Sequence, residues 1–425
     1  MRILMVNKFH YIKGGTETYI NSVTKGLESA GHSVFHFAMN DENNLPYEYS
    51  DYFVPHVDYN AQHGLAASLK IAKNLIYSKE SLRRFDSFIN LVKPDIIHLN
   101  LVHRQITLSI LDSPAATNIP IVYTSHEYIP ICPSYTLIDG KGRLCEKCIQ
   151  GNFYHCFFSK CIKESRLKSL LGAIEAYFIR YRKFYDRFSI IIAPSNYMKS
   201  KLIESGIGAN RIKVMPNCFD INLWEEAGKR EGKEITPYFV YFGRLSKEKG
   251  VSLLLSAFAQ FNKLHPNWRL CIVGDGPERA ELESVASELN IHNSVFFTGK
   301  MEGESLRKIV AKARYSVVCS NWPETFGYNI LESEAAGTPV IGSRIGAIPD
   351  NVIDGFNGMT FAPNDSSQLA DTLRQAASLD ESNYCRLRDN GIEHACSVSN
   401  IETYTDNLLD LYRNAVDRLN NKKTE

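Results

Sequence analysis

Short apolar runs rich in β-branched and aromatic residues alternate with longer stretches of helical periodicity along most of the chain. Runs at 2–7, 33–38, 95–99, 120–125 and 189–193 read as strands, and a second series follows at 239–242, 269–273, 295–298, 315–319 and 339–342. That order predicts an α/β protein built on parallel sheets with crossover helices. Between the two series, residues 220–237 are charged and weakly patterned, with Glu225-Glu226-Ala227-Gly228-Lys229-Arg230 at their centre, and read as a linker. The expected domains are therefore 1–219 and 238–400. A final helix is expected within 401–425, where Tyr404, Leu408, Leu409, Leu411 and Tyr412 follow helical spacing. No repeat of solenoid length and no low-complexity tract interrupts the pattern.

Composition narrows the class. At 425 residues and 44% apolar content, the chain can bury two substantial cores. A net charge of +1 excludes a polyanion-seeking protein on charge alone, and no nucleic-acid-binding signature stands out. The N-terminal apolar run is broken by Asn7 and Lys8, too short for a signal sequence, and no run of about 18 apolar residues occurs. A cytoplasmic location is the expectation.

The chemistry concentrates in the second half. Pro323-Glu324-Thr325-Phe326-Gly327 runs into Tyr328-Asn329-Ile330-Leu331-Glu332, two carboxylates across a loop-to-helix junction. A helix beginning near Gly327 points unpaired N–H groups and a positive dipole end at any phosphate placed there. With Glu324 before the helix and Glu332 inside it, the carboxylates stand on the order of 10 Å apart, near the sugar-to-ribose span of a nucleotide sugar. Upstream, Phe239-Val240-Tyr241-Phe242 ends in Gly243-Arg244-Leu245-Ser246-Lys247-Glu248-Lys249-Gly250. A departing diphosphate needs its charge neutralised by Mg²⁺ or by an Arg/Lys clamp. No Asp-x-Asp occurs in the sequence, whereas Arg244 offers a planar fork and Lys249 a point charge, so a metal-independent clamp is expected.

Other polar signals are weaker. Gly14-Gly15 lacks the Gly-x-Gly-x-x-Gly spacing of a dinucleotide site, which disfavours hydride transfer. Gly274-Asp275-Gly276-Pro277 reads either as a plain turn or as a nucleotide contact. His126 ends the apolar strand Ile121-Val122-Tyr123-Thr124-Ser125, at the sheet edge where such folds bind ligands.

Taken together, these segments resemble the GT-B glycosyltransferases, in particular the retaining enzymes of family 4. The Glu-x7-Glu motif and the Gly-Arg-x4-Lys-Gly turn match, and so do Arg2-Ile3-Leu4-Met5-Val6-Asn7, Gly14-Gly15-Thr16-Glu17, Gly31-His32-Ser33-Val34, Ser125-His126-Glu127, Ala193-Pro194-Ser195, Met215-Pro216-Asn217 and Glu334-Ala335-Ala336-Gly337-Thr338-Pro339-Val340. One departure follows Asn217, where Cys218-Phe219-Asp220 replaces the family's Gly-Val-Asp.

The resemblance implies two Rossmann-like doubly wound domains facing a central cleft, with the last helix returning to the N-terminal domain. It implies transfer of a sugar from a nucleotide-diphosphate sugar to a glycan or lipid-linked saccharide, in bacterial surface polysaccharide synthesis, by front-side attack and without a catalytic cofactor. His126 and Glu324 become the expected catalytic residues. Gly15, Arg244, Lys249, Phe326, Gly327 and Glu332 become the expected donor-binding residues, with Glu332 on the ribose. An epimerase of the same architecture and a non-catalytic sugar-nucleotide-binding protein are the alternatives.

Two features individualise the chain. Five of its ten cysteines, Cys132, Cys145, Cys148, Cys156 and Cys161, fall in an insertion at 132–161, with His155 beside the fourth. Structural zinc and reduced thiols are both open readings. Between Lys160 and Arg187, eight Lys or Arg face three acids and interleave with Leu167, Leu170, Leu171, Ile174, Tyr177, Phe178, Ile179, Tyr181, Phe184, Tyr185 and Phe188. Such a segment is either a domain helix with a solvated charged face or a peripheral contact with an anionic membrane surface.

Overall fold

The computed structural model describes residues 1–57, 65–229 and 236–424. The chain divides into two compact units, Met1–Phe219 with Ile401–Glu425, and Asp220–Asn400.

The first unit holds six parallel strands: β1 (Arg2–Val6), β2 (Ser33–Phe37), β3 (Ile96–Leu99), β4 (Ile121–Thr124), β5 (Ile190–Ala193) and β6 (Ile212–Val214). Their order is β2-β1-β3-β4-β5-β6, with Ile3 opposite Ile96 and Val122 opposite Ile190. Ile3, Leu4, Met5 and Val6 are all buried, as are Ile190, Ile191, Ile192 and Ala193, because helices cover both faces of a parallel sheet. Strand order reverses between β1 and β3. Ligands of open α/β sheets bind at such switch points, beyond the strands' carboxyl ends, which here are Asn7 and Asn100.

The C-terminal helix Ile401–Thr424 belongs to this unit and packs on the helix Gly15–Ser29. Its aromatic face is fixed by polar bonds in the core: Tyr404 Oη meets Tyr19 Oη at 2.9 Å, and Tyr412 Oη meets His98 Nδ1 at 2.6 Å. His98 Nε2 continues the chain to Thr124 Oγ1 at 2.7 Å. Burial pushes the His98 imidazole down to about 3, so it stays neutral.

The second unit repeats the architecture with β7 (Thr236–Phe242), β8 (Arg269–Val273), β9 (Val295–Gly299), β10 (Ala313–Val318), β11 (Val340–Ser343) and β12 (Gly358–Phe361). The order β12-β11-β10-β7-β8-β9 puts its switch point between β7 and β10. Phe239, Phe258, Phe261, Leu270, Tyr315 and Leu369 lie in its main core.

Two strands, β6 and β12, fall outside the runs expected from sequence. Both are short, and Lys213 and Thr360 break their apolar character. The segment expected as a linker is a correction: it holds a helix, Asn222–Gly228, whose buried Trp224 stacks on Phe242 with ring centroids 6.1 Å apart. One large aromatic anchors a turn whose remaining charged face mimics a linker in the sequence. Residues 230–235 lie outside the described residues.

Replacing Tyr412 by Phe deletes the hydroxyl bonded to His98 and leaves a buried ring nitrogen unpaired. We expect a loss of about 1–3 kcal/mol in urea unfolding with an unchanged m-value. No loss would show that the bond contributes nothing net.

Candidate active site

In the second unit the two motif loops leave adjacent strands at the switch point. The first leaves β7 through Gly243, makes the short turn Lys247–Lys249, and enters the helix Val251–Asn262 at Gly250. Gly250 is left-handed (φ +70°), and a Cβ there would lie 2.1 Å from the Cys319 carbonyl oxygen at the end of β10. The absent side chain lets the two loops touch.

The turn Gly274-Asp275-Gly276-Pro277 braces the same loop. Leu245 N donates to Asp275 O at 2.9 Å, and a Cβ on Gly274 would meet Gly243 O at 1.9 Å. The turn thereby supports the loop that carries Arg244.

The second loop runs from β10 to the helix Tyr328–Ala335. Gly327 caps that helix in a left-handed conformation (φ +94°) with no side-chain cap, and no acid stands in the first turn. Such an end is electrostatically suited to an anion. Phe326 is buried edge-on to Tyr328, and its carbonyl accepts from Asn351 Nδ2 at 2.8 Å, which fixes the approach to the helix.

Lys249 and Glu324 come together across the loops: Nζ lies 2.7 Å from Oε1, and Ser320 Oγ also donates to that oxygen. Burial alone would push the Glu324 carboxyl up, but the Lys249 charge and the hydrogen bonds from Lys249 and Ser320 outweigh it. Glu324 is held below the usual carboxylate range and is ionised. Arg244 is different. Its guanidinium is exposed and makes no ion pair or hydrogen bond among the described residues, while its carbonyl is pinned by Tyr241 Oη at 2.9 Å. The expected clamp thus consists of a tethered ammonium and an uncommitted fork.

Glu332 and Glu334 occupy one helix with opposite surroundings. Glu334 is buried and saturated, accepting from Asn357 Nδ2 at 2.8 Å and facing His394 Nδ1 at 2.8 Å. Glu332 is half-buried, and its carboxylate accepts no hydrogen bond from the described residues. Burial pushes each up to about 7. Glu332 is therefore the carboxylate of the motif that lacks a donor.

The remaining expected residues stand in the first unit. Gly15 opens the helix Gly15–Ser29 after β1, and the Gly14 N–H donates to Glu17 Oε2 at 3.1 Å. The chain enters this helix from an extended Gly14. His126 is buried after β4, with its ring packed on Tyr19, and Nε2 lies 2.9 Å from Asn100 Oδ1. Asn100 Nδ2 faces the Val6 carbonyl, so Oδ1 accepts and Nε2 carries the proton. Burial, helped by neighbouring His98, pushes His126 down to about 3. The ring is neutral, with Nδ1 left as an acceptor.

Sequence reasoning missed Asn100, which orients His126, and Ser320, which holds Glu324. It also missed Lys8 and Glu127, half-buried charges near one another; burial lowers the first and raises the second, against their mutual attraction. The available signal was position: each follows the carboxyl end of a strand in its sheet.

Cys132, Cys148 and Cys156 are buried, Cys145 and Cys161 half-buried, and all are free thiols. Cys148 and Cys156 pack with Phe153 and Ala173, and Cys132 Sγ meets Ser134 Oγ at 3.1 Å. Among the described residues no three His, Cys, Asp or Glu side chains are placed to hold a metal ion. Cys148 and Cys156 thus help fill a small apolar cluster, as buried cysteines commonly do.

Two doubly wound parallel sheets, each with a polar switch point, are the architecture of the GT-B glycosyltransferases. Family models agree: Glycosyltransferase Family 4 matches residues 13–223, and Glycosyl transferases group 1 matches residues 224–394. The chain belongs to glycosyltransferase family 4. A glycogen synthase of Mycobacterium tuberculosis is 30% identical over 209 residues, covering 49% of each chain. The chain spans about half the length of the curated relatives it matches. Among solved structures, sucrose-phosphate synthase from Thermosynechococcus elongatus superposes with TM-score 0.70 at 21% identity, covering 97% of this chain and 98% of that one. Anabaena HepE, in complex with UDP and glucose, gives TM-score 0.66 at 20% identity over 97% and 100%. These likenesses show the shared fold.

Two predictions follow from the charges. Lys249→Met strands the buried Glu324 and should cost about 3 kcal/mol in chemical unfolding, with Lys249→Met/Glu324→Gln recovering part of it. No coupling in that cycle would contradict the pairing. Glu332 and Glu334 hold protons up to about 7 when folded, against an ordinary 4.5. Between those values the folded state binds more protons than the unfolded one, so stability should fall as pH rises from 4.5 to 7. Glu332→Gln should remove roughly half of these two groups' contribution to the slope. An unchanged slope would refute the raised value.

Proposed function

We propose that this chain is a retaining, metal-independent glycosyltransferase that moves a sugar from a nucleoside-diphosphate sugar to a glycan or lipid-linked saccharide. Bacterial surface polysaccharide synthesis at the cytoplasmic face of the membrane is the setting we infer. The observation that carries this reading is the second unit's switch point, where an unpaired guanidinium, an uncapped helix end and a donor-starved carboxylate occur together. HepE, solved with UDP and glucose, shares this fold and supports a donor of that class.

Each residue has a physical task. Arg244 and the N–H groups after Gly327 take the diphosphate oxygens, whose charge rises as the anomeric C–O bond breaks. Lys249 adds positive potential while keeping Glu324 ionised. Glu324 accepts hydroxyls of the transferred sugar, and Glu332 accepts those of the ribose. His126 accepts a sugar hydroxyl at Nδ1, and its low pKa keeps it from serving as the acid. The acceptor oxygen forms the new bond on the face the diphosphate leaves, and its proton passes to the departing phosphate oxygen.

Thermal shift against a panel of nucleotide sugars in EDTA tests the donor assignment, since a ligand of the native state raises apparent stability. One donor should stabilise the wild type, and Arg244→Ala should lose most of that shift. Stabilisation only when a divalent ion is added would overturn metal independence. Product NMR should show the donor's anomeric configuration retained; inversion would reject the mechanism.

A further inference from the structure

The helix Arg166–Tyr181 of the first unit is turned inside out. Its inward face is small and polar: Ser169, Gly172, Ala173, Glu175 and Ile179 are the buried positions, and Glu175 pairs with Arg104 at 3.3 Å. Its outward face is apolar. Leu167, Leu170, Ile174, Tyr177 and Tyr181 follow one another at steps of three and four, a single stripe opposite the buried side. Leu167 is 76% exposed, Ile174 46% and Tyr181 84%, and Phe158 on the preceding helix Tyr154–Ser159 is 71% exposed. A helix on a solvated surface ordinarily shows the reverse pattern, and contiguous exposed apolar patches mark binding surfaces.

The charges around the stripe narrow the occupant. Lys160, Arg166, Lys168 and Lys183 are exposed and form no ion pair among the described residues, while Arg180 is exposed and donates only to the Gln150 carbonyl. The acids of the same stretch are mostly engaged: Glu175 by Arg104 and Asp186 by Arg211. A second copy of this surface would bring unpaired cations against one another, which disfavours a coiled-coil dimer through the stripe. An apolar stripe bordered by free cations complements a surface that is apolar beneath and anionic above.

We propose that the outward face of the helix Arg166–Tyr181, with Phe158, docks on an anionic lipid bilayer, the apolar stripe entering the acyl boundary and the flanking Lys and Arg meeting the headgroups. This gives a specific surface to the membrane setting inferred above and stands apart from the donor chemistry. Flotation reads the lipid contact and donor turnover reads the transferase, so either can fail alone. Tyr177 already accepts the Tyr154 N–H at 3.2 Å, tying the stripe to the neighbouring helix and presenting it as a preformed platform.

The full chain is floated with vesicles of phosphatidylcholine alone and with added phosphatidylglycerol. Binding is expected with the anionic vesicles, weakened at 0.5 M salt, and at least about tenfold lower in Leu167→Glu/Ile174→Glu/Tyr181→Glu. These side chains point to solvent, so the triple variant should retain the wild-type Tm. A second variant, Arg166→Glu/Lys168→Glu, leaves the stripe intact and should lose only the preference for anionic lipid. No lipid-dependent flotation overturns the proposal. Wild-type dimers by light scattering that the triple variant dissolves would assign the stripe to self-association and overturn it equally.

Discussion

A single ion pair, Lys249 to Glu324, joins the two loops on which the candidate site depends. The residues lie 75 positions apart in sequence and meet at 2.7 Å because parallel strand order reverses between β7 and β10. A crevice opens at such a reversal, beyond the carboxyl ends of the two strands. Gly250 makes the approach sterically feasible, and Ser320 shares the carboxylate. With the pair in place, Arg244 on one side stays without an ion pair among the described residues, and the end of the helix Tyr328–Ala335 on the other has no side-chain cap.

The electrostatics of the neighbouring groups follow from what each lacks. Glu334 has two partners and is part of the scaffold; Glu332, two residues earlier on the same helix, has none among the described residues and can release stabilisation when hydroxyls arrive. His126 is neutral because it is buried beside His98, and Asn100 fixes its one proton on Nε2. These arrangements favour hydrogen bonding and charge stabilisation over acid catalysis, which suits a leaving group that is already an anion.

Much of the fold was legible from periodicity, since the uninterrupted apolar runs within 2–6, 239–242 and 269–273 mark buried parallel strands. The short strands β6 and β12 were not, because Lys213 and Thr360 interrupt their apolar character. The helix Asn222–Gly228 was hidden by its charged face, with Trp224 as the overlooked sign. In the site, motif spacing identified Arg244, Lys249, Glu324 and Glu332, but the pairing of Lys249 with Glu324 is a long-range contact that no local pattern encodes. Asn100 and Ser320 were missed for the same reason. The apolar residues between Leu167 and Phe188 were visible in the sequence, yet only burial shows that five of them, Leu167 to Tyr181, form a stripe that faces outward.

Neutralisation of a departing pyrophosphate by protein charge alone is the claim on which the chemistry rests. Its most direct test is steady-state turnover of the identified donor in EDTA, with magnesium added back, for the wild type and Arg244→Ala. Wild-type kcat is predicted to be indifferent to magnesium and to drop on the order of a hundredfold in the variant. Strict dependence of wild-type turnover on the divalent ion, or an unimpaired variant, would contradict it.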